Sequence, residues 1–340
     1  MNPTKNKIVR SLCWFAESTD PQIIHGLGQI ESVLTGHGYE VQSRRVCFKQ
    51  TSIEELESWS SPGDLYLGMG TLSPEEAQTQ LGDFLRASRV SFNLDASAAV
   101  GPAEVEVLQR IIRESPARTF LFAYTFHNRP SSPFFPSAAF DRPGFSLGLQ
   151  STDLAENCTT LGEWMDAMRE VWREMVGILD EHPGFLGIDS SVAPLFRGKS
   201  SLVHFVKRLC GSFSSAVTTD LFLKLTRFLE EENPRPVGLC GLMLPCLEDF
   251  ELADEYEAGE FTVERNLFLS LHSGLGVDTY PVGIDEDPDR ILEVLRLIRG
   301  LSEKHAKPLS ARFVSDGKAR IGDMTDFGNP YLKDVRIRPL

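Results

Sequence analysis

At 340 residues the chain is long for one domain on the usual prior of roughly 100–200 residues, and its 41% hydrophobic and 24% charged content supplies a sizeable core and excludes a disordered chain. A formal charge of -14 argues against nucleic-acid binding, which needs clustered Lys and Arg, and against anionic membrane surfaces; Arg44-Arg45 and Lys207-Arg208 are only short basic pairs. No run of 18 apolar residues suggests a membrane span, and six cysteines scattered without CxxC pairs read as reduced thiols of a cytoplasmic protein.

The opening Met1-Asn-Pro-Thr-Lys-Asn-Lys7 lacks the apolar segment of a signal peptide. Ile8 to Phe15 mixes β-branched and aromatic residues and is expected as a strand. Asp20-Pro21 supplies an N-cap and a first-turn proline for a helix whose apolar residues, Ile23 to Leu34, recur at helical spacing until Gly36 and Gly38. Tyr39 to Phe48 reads as a second strand and Leu65 to Met69 as a third. Ser73 to Ala87 follows as a capped helix, Val90 to Leu94 as a strand, Pro102 to Glu114 as a helix, and Thr119 to Thr125 as a buried strand. This alternation argues for α/β layering in an enzyme-type barrel.

From His127 to Asp153 periodicity stops in favour of Pro, Ser, Phe and Gly, a composition expected of a long ordered loop over a site. Leu161 to Asp180 is then an amphipathic helix. A second half opens with the strand Phe185 to Asp189, then helices over 202–210 and 221–231, a strand-like Val237 to Leu244, and a helix over 260–269. Val277 to Val282 reads as a strand, Pro288 to His305 repeats the Asp-Pro helix start, and Leu309 to Val314 with Lys318 to Gly322 reads as a hairpin around Asp316-Gly317. One domain over 1–340 and two loosely duplicated halves, 1–180 and 181–340, both stay open.

Gly26-Leu-Gly28 and Gly274-Leu-Gly276 lack the full dinucleotide fingerprint, and no phosphate loop occurs. Asp189, at a strand end before Ser190 and Ser191, either faces the crevice at the carboxyl ends of the strands or caps the next turn. Glu248-Asp249 could hold a divalent cation or work as acid and base, but Glu251, Asp254, Glu255 and Glu257 follow at once, so a solvated acidic face is the plainer reading. Asn93 and Asp95 also end a strand, and His127 and His272 sit nearest to loops, although neither has a nucleophile at a diagnostic spacing. Cys240 and Cys246 have apolar neighbours and read as core thiols.

Ile8-Val-Arg-Ser-Leu, Ser91-Phe-Asn-Leu-Asp-Ala-Ser, Phe122-Ala-Tyr, Ser132-Pro-Phe-Phe-Pro-Ser-Ala-Ala-Phe, Leu186-Gly-Ile-Asp-Ser-Ser-Val-Ala-Pro194, Leu244-Pro-Cys-Leu-Glu-Asp249, Gly276-Val-Asp278 and Gly322-Asp-Met-Thr-Asp-Phe-Gly328 run in one order along the chain. Together they resemble the family catalogued as domain of unknown function 711. The resemblance implies a barrel related to pyruvate formate-lyase, with about ten strands in two opposed halves ringed by helices; such a fold does not name a reaction. The family's glycine-rich segment is shortened here to Gly238-Leu-Cys-Gly-Leu-Met243, and its Thr-Ala-Ala helix start reads Ser214-Ser-Ala-Val-Thr218. No radical loop is found near the carboxyl terminus, so no glycyl radical is expected.

The expected function is an enzyme of hydrolase, lyase or isomerase type acting on a small polar metabolite, amino-acid-like or carboxylated, by acid–base or metal-assisted chemistry. Asp189, Asp278 and His272 are the expected catalytic groups. Asn93, Asp95, His127 and Arg312 are expected to hold substrate, Asp189, Glu248 and Asp249 a divalent metal, and Phe134, Phe135 and Phe140 to cover the pocket. The alternative is a non-catalytic metabolite-binding protein, marked by a pocket whose carboxylates are neutralised by Arg or backbone donors. A homodimer is expected from base rates alone.

Overall fold

A computed structural model describes residues 7–49, 51–59 and 65–340; the N-terminal reading of residues 1–6 lies outside them. In chain order the strands are β1 (Ile8–Ala16), β2 (Glu40–Val41), β3 (Arg44–Phe48), β4 (Leu65–Leu72), β5 (Val90–Asp95), β6 (Phe122–Phe126), β7 (Gly144–Leu149), β8 (Phe185–Asp189), β9 (Gly276–Pro281) and β10 (Leu309–Val314). The helices are α1 (Pro21–Gly36), α2 (Ile53–Ser58), α3 (Pro74–Arg86), α4 (Pro102–Glu114), α5 (Leu161–Leu179), α6 (Leu202–Cys210), α7 (Phe213–Val217), α8 (Leu221–Glu231), α9 (Phe250–Ala258), α10 (Val263–His272) and α11 (Pro288–His305).

The architecture is mixed α/β: one ten-stranded sheet, in the order β8-β7-β1-β3-β4-β5-β6-β10-β9 with β2 beside β1, and helices around it. Strands β1, β3, β4, β5 and β6 are mutually parallel. Antiparallel joints, β7 on β1 and β10 on β6, flank this group; β8 then runs parallel to β7, and β9 parallel to β10. The outermost strands are both bridged to one segment, since Pro236 and Leu242 pair with Ile188 and Val192 while Leu242 and Pro245 pair with Gly274 and Asp278, all in parallel sense.

Local chemistry accounts for most of these elements. Asp20 accepts from Gln22 N at 2.8 Å and Asp287 from Asp289 N at 3.0 Å, each just before a first-turn proline, so both Asp-Pro starts are real caps. Ser73 and Glu76 form a reciprocal capping box on α3. Helix α5 buries Trp164, Met168, Trp172 and Met175 on one face, and complete burial of such side chains contributes roughly 1.5–3 kcal/mol each. Strands β6, β7 and β8 are buried at every residue, as expected where helices and inserted chain cover both faces of the sheet.

Several sequence expectations are corrected. The hairpin over 309–322 is absent: β10 pairs with β6 and β9, and Asp316 Oδ1 instead accepts from Lys318 N and Ala319 N to close a turn. Val237 to Leu244 makes isolated bridges and no regular strand, because Gly238 and Cys240 take positive φ of 70° and 47°. Thr119 to Leu121 belongs to a 3-10 turn begun at Pro116, and 39–48 is two short strands. The aperiodic stretch hides β7, whose Gly144 and Gly148 carry no periodic signal. The acidic run is helix α9, in which Glu255 meets Lys207 at 2.6 Å and Asp254 meets Arg197 at 2.5 Å, so it is ion-paired as well as solvated.

Candidate functional site

The connection from β6 to β7, residues 127–143, does not lie over the sheet's rim but enters the space between its two groups of strands. Glycine makes the room. A Cβ on Gly148 would stand 2.3 Å from the Phe134 ring, and one on Gly68 would stand 2.9 Å from Phe135. A buried loop must pair its carbonyls, and this one does: Ser146 Oγ donates to Ser131 O at 2.8 Å, and Ser11 Oγ to Pro133 O at 2.7 Å. Asn93 Nδ2 donates to Pro136 O and Ala138 O at 2.8 and 2.9 Å, and Asn128 Nδ2 to Ser137 O at 2.9 Å. Phe135 and Phe140 pack against Cys13, Phe15, Cys47 and Leu186 in a small interior cluster.

Phe134, Phe135, Pro136 and Ser137 of this loop line a cavity of about 130 Å³. That is roughly ten times the space one water's centre requires. Its other walls are Arg10 of β1, Arg45 of β3, Tyr66 of β4 and Arg89 just before β5, with Phe120 and Leu121 before β6. From the other group of strands come Asp278 of β9, Ser310 and Arg312 of β10, and Glu248 after the bridged segment. The cavity therefore opens at the amino ends of the parallel group. Strand β8 runs opposite to β1, so its carboxyl end, which carries Asp189, lies on the same side as these amino ends, while the loop that leaves β6 packs in from the other side.

An ion network crosses the cavity. Arg312 Nε donates to Asp278 Oδ1 at 2.6 Å, its Nη2 pairs closely with Glu248 Oε1, and Arg10 Nη2 stands 3.5 Å from Glu248 Oε2. Burial alone would lower the Arg312 pKa, but Asp278 and Glu248 outweigh it and hold it above its ordinary value. Arg45 is placed differently. Its Nε donates to Ser43 Oγ at 3.2 Å, and its guanidinium lies 5.3 Å from the Phe135 ring centre and 5.8 Å from that of Tyr66. Among the described residues no carboxylate forms an ion pair with it. Burial, and next the neighbouring Arg10, push its pKa down to about 10.

Of the nine site residues expected from sequence, the cavity brings together Glu248, Asp278 and Arg312. Asp189 sits below it, fully buried: Oδ1 accepts from Ser191 N, Ser191 Oγ and Cys240 N, and Oδ2 accepts from Ser132 Oγ and Leu239 N. It anchors the inserted loop, and both its oxygens are engaged by these donors. Asn93 likewise holds the loop. Asp95 binds Ser97, whose hydroxyl accepts from His127 N, and the His127 ring meets Ser302 at 2.9 Å. This chain lies at the carboxyl ends of β5 and β6, and none of Asp95, Ser97 and His127 is in the cavity's lining. His272 ends α10 against Ser273 Oγ, with its pKa lowered by burial and then by Lys307.

The expected metal set is not brought together either. Asp249 caps α9 and accepts from Leu202 N at 3.0 Å, Glu248 meets the arginines, and Asp189 meets backbone amides. No cluster of three or more His, Cys, Asp or Glu suited to a metal occurs among the described residues. Burial raises the Cys246 thiol, and burial followed by Asp189 raises Cys240 to about 11, which leaves both poor nucleophiles. Sequence reasoning missed Arg10, Arg45, Tyr66 and Tyr331. The available signal was a charge inside apolar strand runs, in Ile8-Val-Arg-Ser-Leu and Arg44-Arg45-Val-Cys-Phe.

A family model described as Uncharacterised ACR (DUF711) matches residues 85–329, more than half of the chain. A UPF0210 protein of Pyrobaculum arsenaticum (strain DSM 13514 / JCM 11321 / PZ6) is 26% identical over 178 residues, which make up 51% of this chain and 38% of that protein. The matched stretch thus spans well under half of that relative. No helix among the described residues is long and apolar enough to cross a membrane.

Proposed function

The chain belongs to the DUF711 family of uncharacterised proteins, and we propose that its cavity binds a small carboxylated metabolite. The observation that carries this reading is the set Arg10, Arg45 and Arg312 in one pocket with aromatic and aliphatic walls. Guanidinium forks match a carboxylate's two oxygens, and apolar walls with a few convergent polar groups are the usual make-up of a metabolite pocket. Glu248 and Asp278 are both held by Arg312, and Asp189 is enclosed by amides and hydroxyls. Carboxylates so engaged favour binding over acid–base turnover.

Catalysis of hydrolase, lyase or isomerase type is the second reading, and one observation supports it: Glu248 and Asp278 share a single guanidinium. A ligand carboxylate that took Arg312 would release one of them for proton transfer. Calorimetric titration with a panel of carboxylates, followed by mass-spectrometric analysis of the incubated ligands, separates the readings. Binding without any product supports the first. Product that is lost in Glu248→Gln supports the second, and no binding by any carboxylate overturns both.

We further read the sheet and residues 236–245 as one closed ring, in which β1, β3, β4, β5 and β6 face β7, β8, the bridged segment, β9 and β10. The four parallel bridges from that segment to both outer strands support this barrel, in the manner of pyruvate formate-lyase, and with it a single domain of two opposed halves. The cysteines, all free, support a cytoplasmic location.

A further inference from the structure

We infer that the ligand is an organic monoanion: one carboxylate seated on Arg45, joined to an uncharged apolar body the size of an aromatic ring. The inference rests on the reading of the cavity as a carboxylate site and narrows it by charge.

Arg10, Arg45 and Arg312 meet Glu248 and Asp278, so three cations face two anions and the excess is one. Arg89 is a fourth arginine of the lining, standing at the wall with its Nη2 donating to Trp59 O at 3.1 Å, so the count is of the three that converge on the two carboxylates. The excess is also localised. Arg312 has both carboxylates and Arg10 has Glu248 and Gln42, whereas Arg45 has a serine hydroxyl and two ring faces. A partly buried cation beside another cation is held there at a cost in stability, and one oxyanion neutralises it. A dicarboxylate would bring a second charge for which Arg10 and Arg312, both already on carboxylates, offer no open seat. An amino acid would bring an ammonium whose natural partners, Glu248 and Asp278, are taken by Arg312.

The body follows from the walls. Phe134 and Phe135 from the inserted loop, Phe120 and Leu121 before β6, and Met243 and Leu244 of the bridged segment leave a largely apolar lining beyond Arg45. The Phe135 ring that touches the Arg45 guanidinium also belongs to this lining, so head and body are recognised side by side.

The test is calorimetric titration of the full chain with four compounds that share a phenyl body: 3-phenylpropanoate, phenylalanine, benzylsuccinate and 3-phenylpropan-1-ol. The expected result is binding of 3-phenylpropanoate at least tenfold tighter than the other three. Arg45→Met is expected to lose that binding at least tenfold and to melt no lower than the wild type without ligand, since it removes an unpaired charge. Arg45→Lys checks the same point with the charge kept, and is expected to bind more weakly than wild type but better than Arg45→Met. Tighter binding of benzylsuccinate or phenylalanine overturns the monoanion inference and leaves the carboxylate pocket standing. Binding of 3-phenylpropanoate unchanged in Arg45→Met overturns the seat on Arg45. If none of these compounds and no member of the wider carboxylate panel binds, the pocket reading itself falls.

Discussion

Ser132 Oγ donates to Asp189 Oδ2 at 2.7 Å, and through this contact the inserted loop is fastened to the end of β8. The same carboxylate receives two backbone amides from the turn at Leu239 and Cys240. Asp189→Ala therefore strips five donors of their acceptor and is expected to cost roughly 3–5 kcal/mol of stability, as removing one member of a buried charged network does. Urea denaturation measures it. A variant that unfolds at the wild-type midpoint but no longer turns over a ligand would return Asp189 to the catalytic role its position in the sequence suggests.

Gly148 should tolerate no side chain while Phe134 is present. Gly148→Ala places a methyl 2.3 Å from the Phe134 ring and is expected to destabilise by about 1–3 kcal/mol, the usual range for overpacking. In a double-mutant cycle, Phe134→Leu is expected to recover part of the loss. Strict additivity of the two changes would show that the ring does not occupy that gap.

Asp249 makes stability depend on pH in the direction opposite to most carboxylates. Burial raises its pKa from 3.8 to about 6, against the pull of the hydrogen bonds it accepts. Between those values the folded chain holds a proton that the unfolded chain has released, so this group's contribution declines as pH rises through the window and is level above it. Relative to Asp249→Asn, wild type is expected to lose on the order of 2 kcal/mol between pH 4 and pH 6.5. Denaturation of both proteins at the two pH values checks the sign, and a difference that grows with pH refutes it.

Arg312 is the hinge of the cavity's charge balance. Arg312→Met leaves Asp278 without its ion pair and Glu248 with Arg10 alone, and is expected to cost roughly 3–5 kcal/mol. Adding Glu248→Gln and Asp278→Asn should restore most of it. If the triple variant is no more stable than Arg312→Met, the network is not what the single change disrupts.

Divalent cations are expected to leave the melting temperature unchanged, because Asp189, Glu248 and Asp249 each face a separate set of partners. Metal analysis of the purified protein, with melting curves in Mg²⁺, Mn²⁺ and Zn²⁺, tests this. One equivalent of bound metal that is lost in Glu248→Gln would contradict it.

The α/β alternation and both Asp-Pro caps were legible in the sequence because hydrophobic periodicity and capping are local. The antiparallel joints between the two groups of strands were not, since nothing within β1 or β6 states which strand it will meet. The same limit explains the site. Glu248 and Asp278 stood out as carboxylates close to strand ends and Arg312 as a fork suited to a carboxylate, but Arg10 and Arg45 lay in apolar runs, where a charge has meaning only once the strand's inner face is known. The loop was readable as long and ordered, whereas its entry into the interior depends on the gaps left by Gly68 and Gly148 on other strands.

Since the floor of the cavity is contributed by residues 134–137, a connection and not a strand, the shape of the berth is inherited separately from the scaffold around it. A few changes in that stretch would refit the chamber for another guest while every ladder of the sheet stayed as it is. Exchange of this one segment between related chains is the economical route by which such a framework could acquire a new ligand.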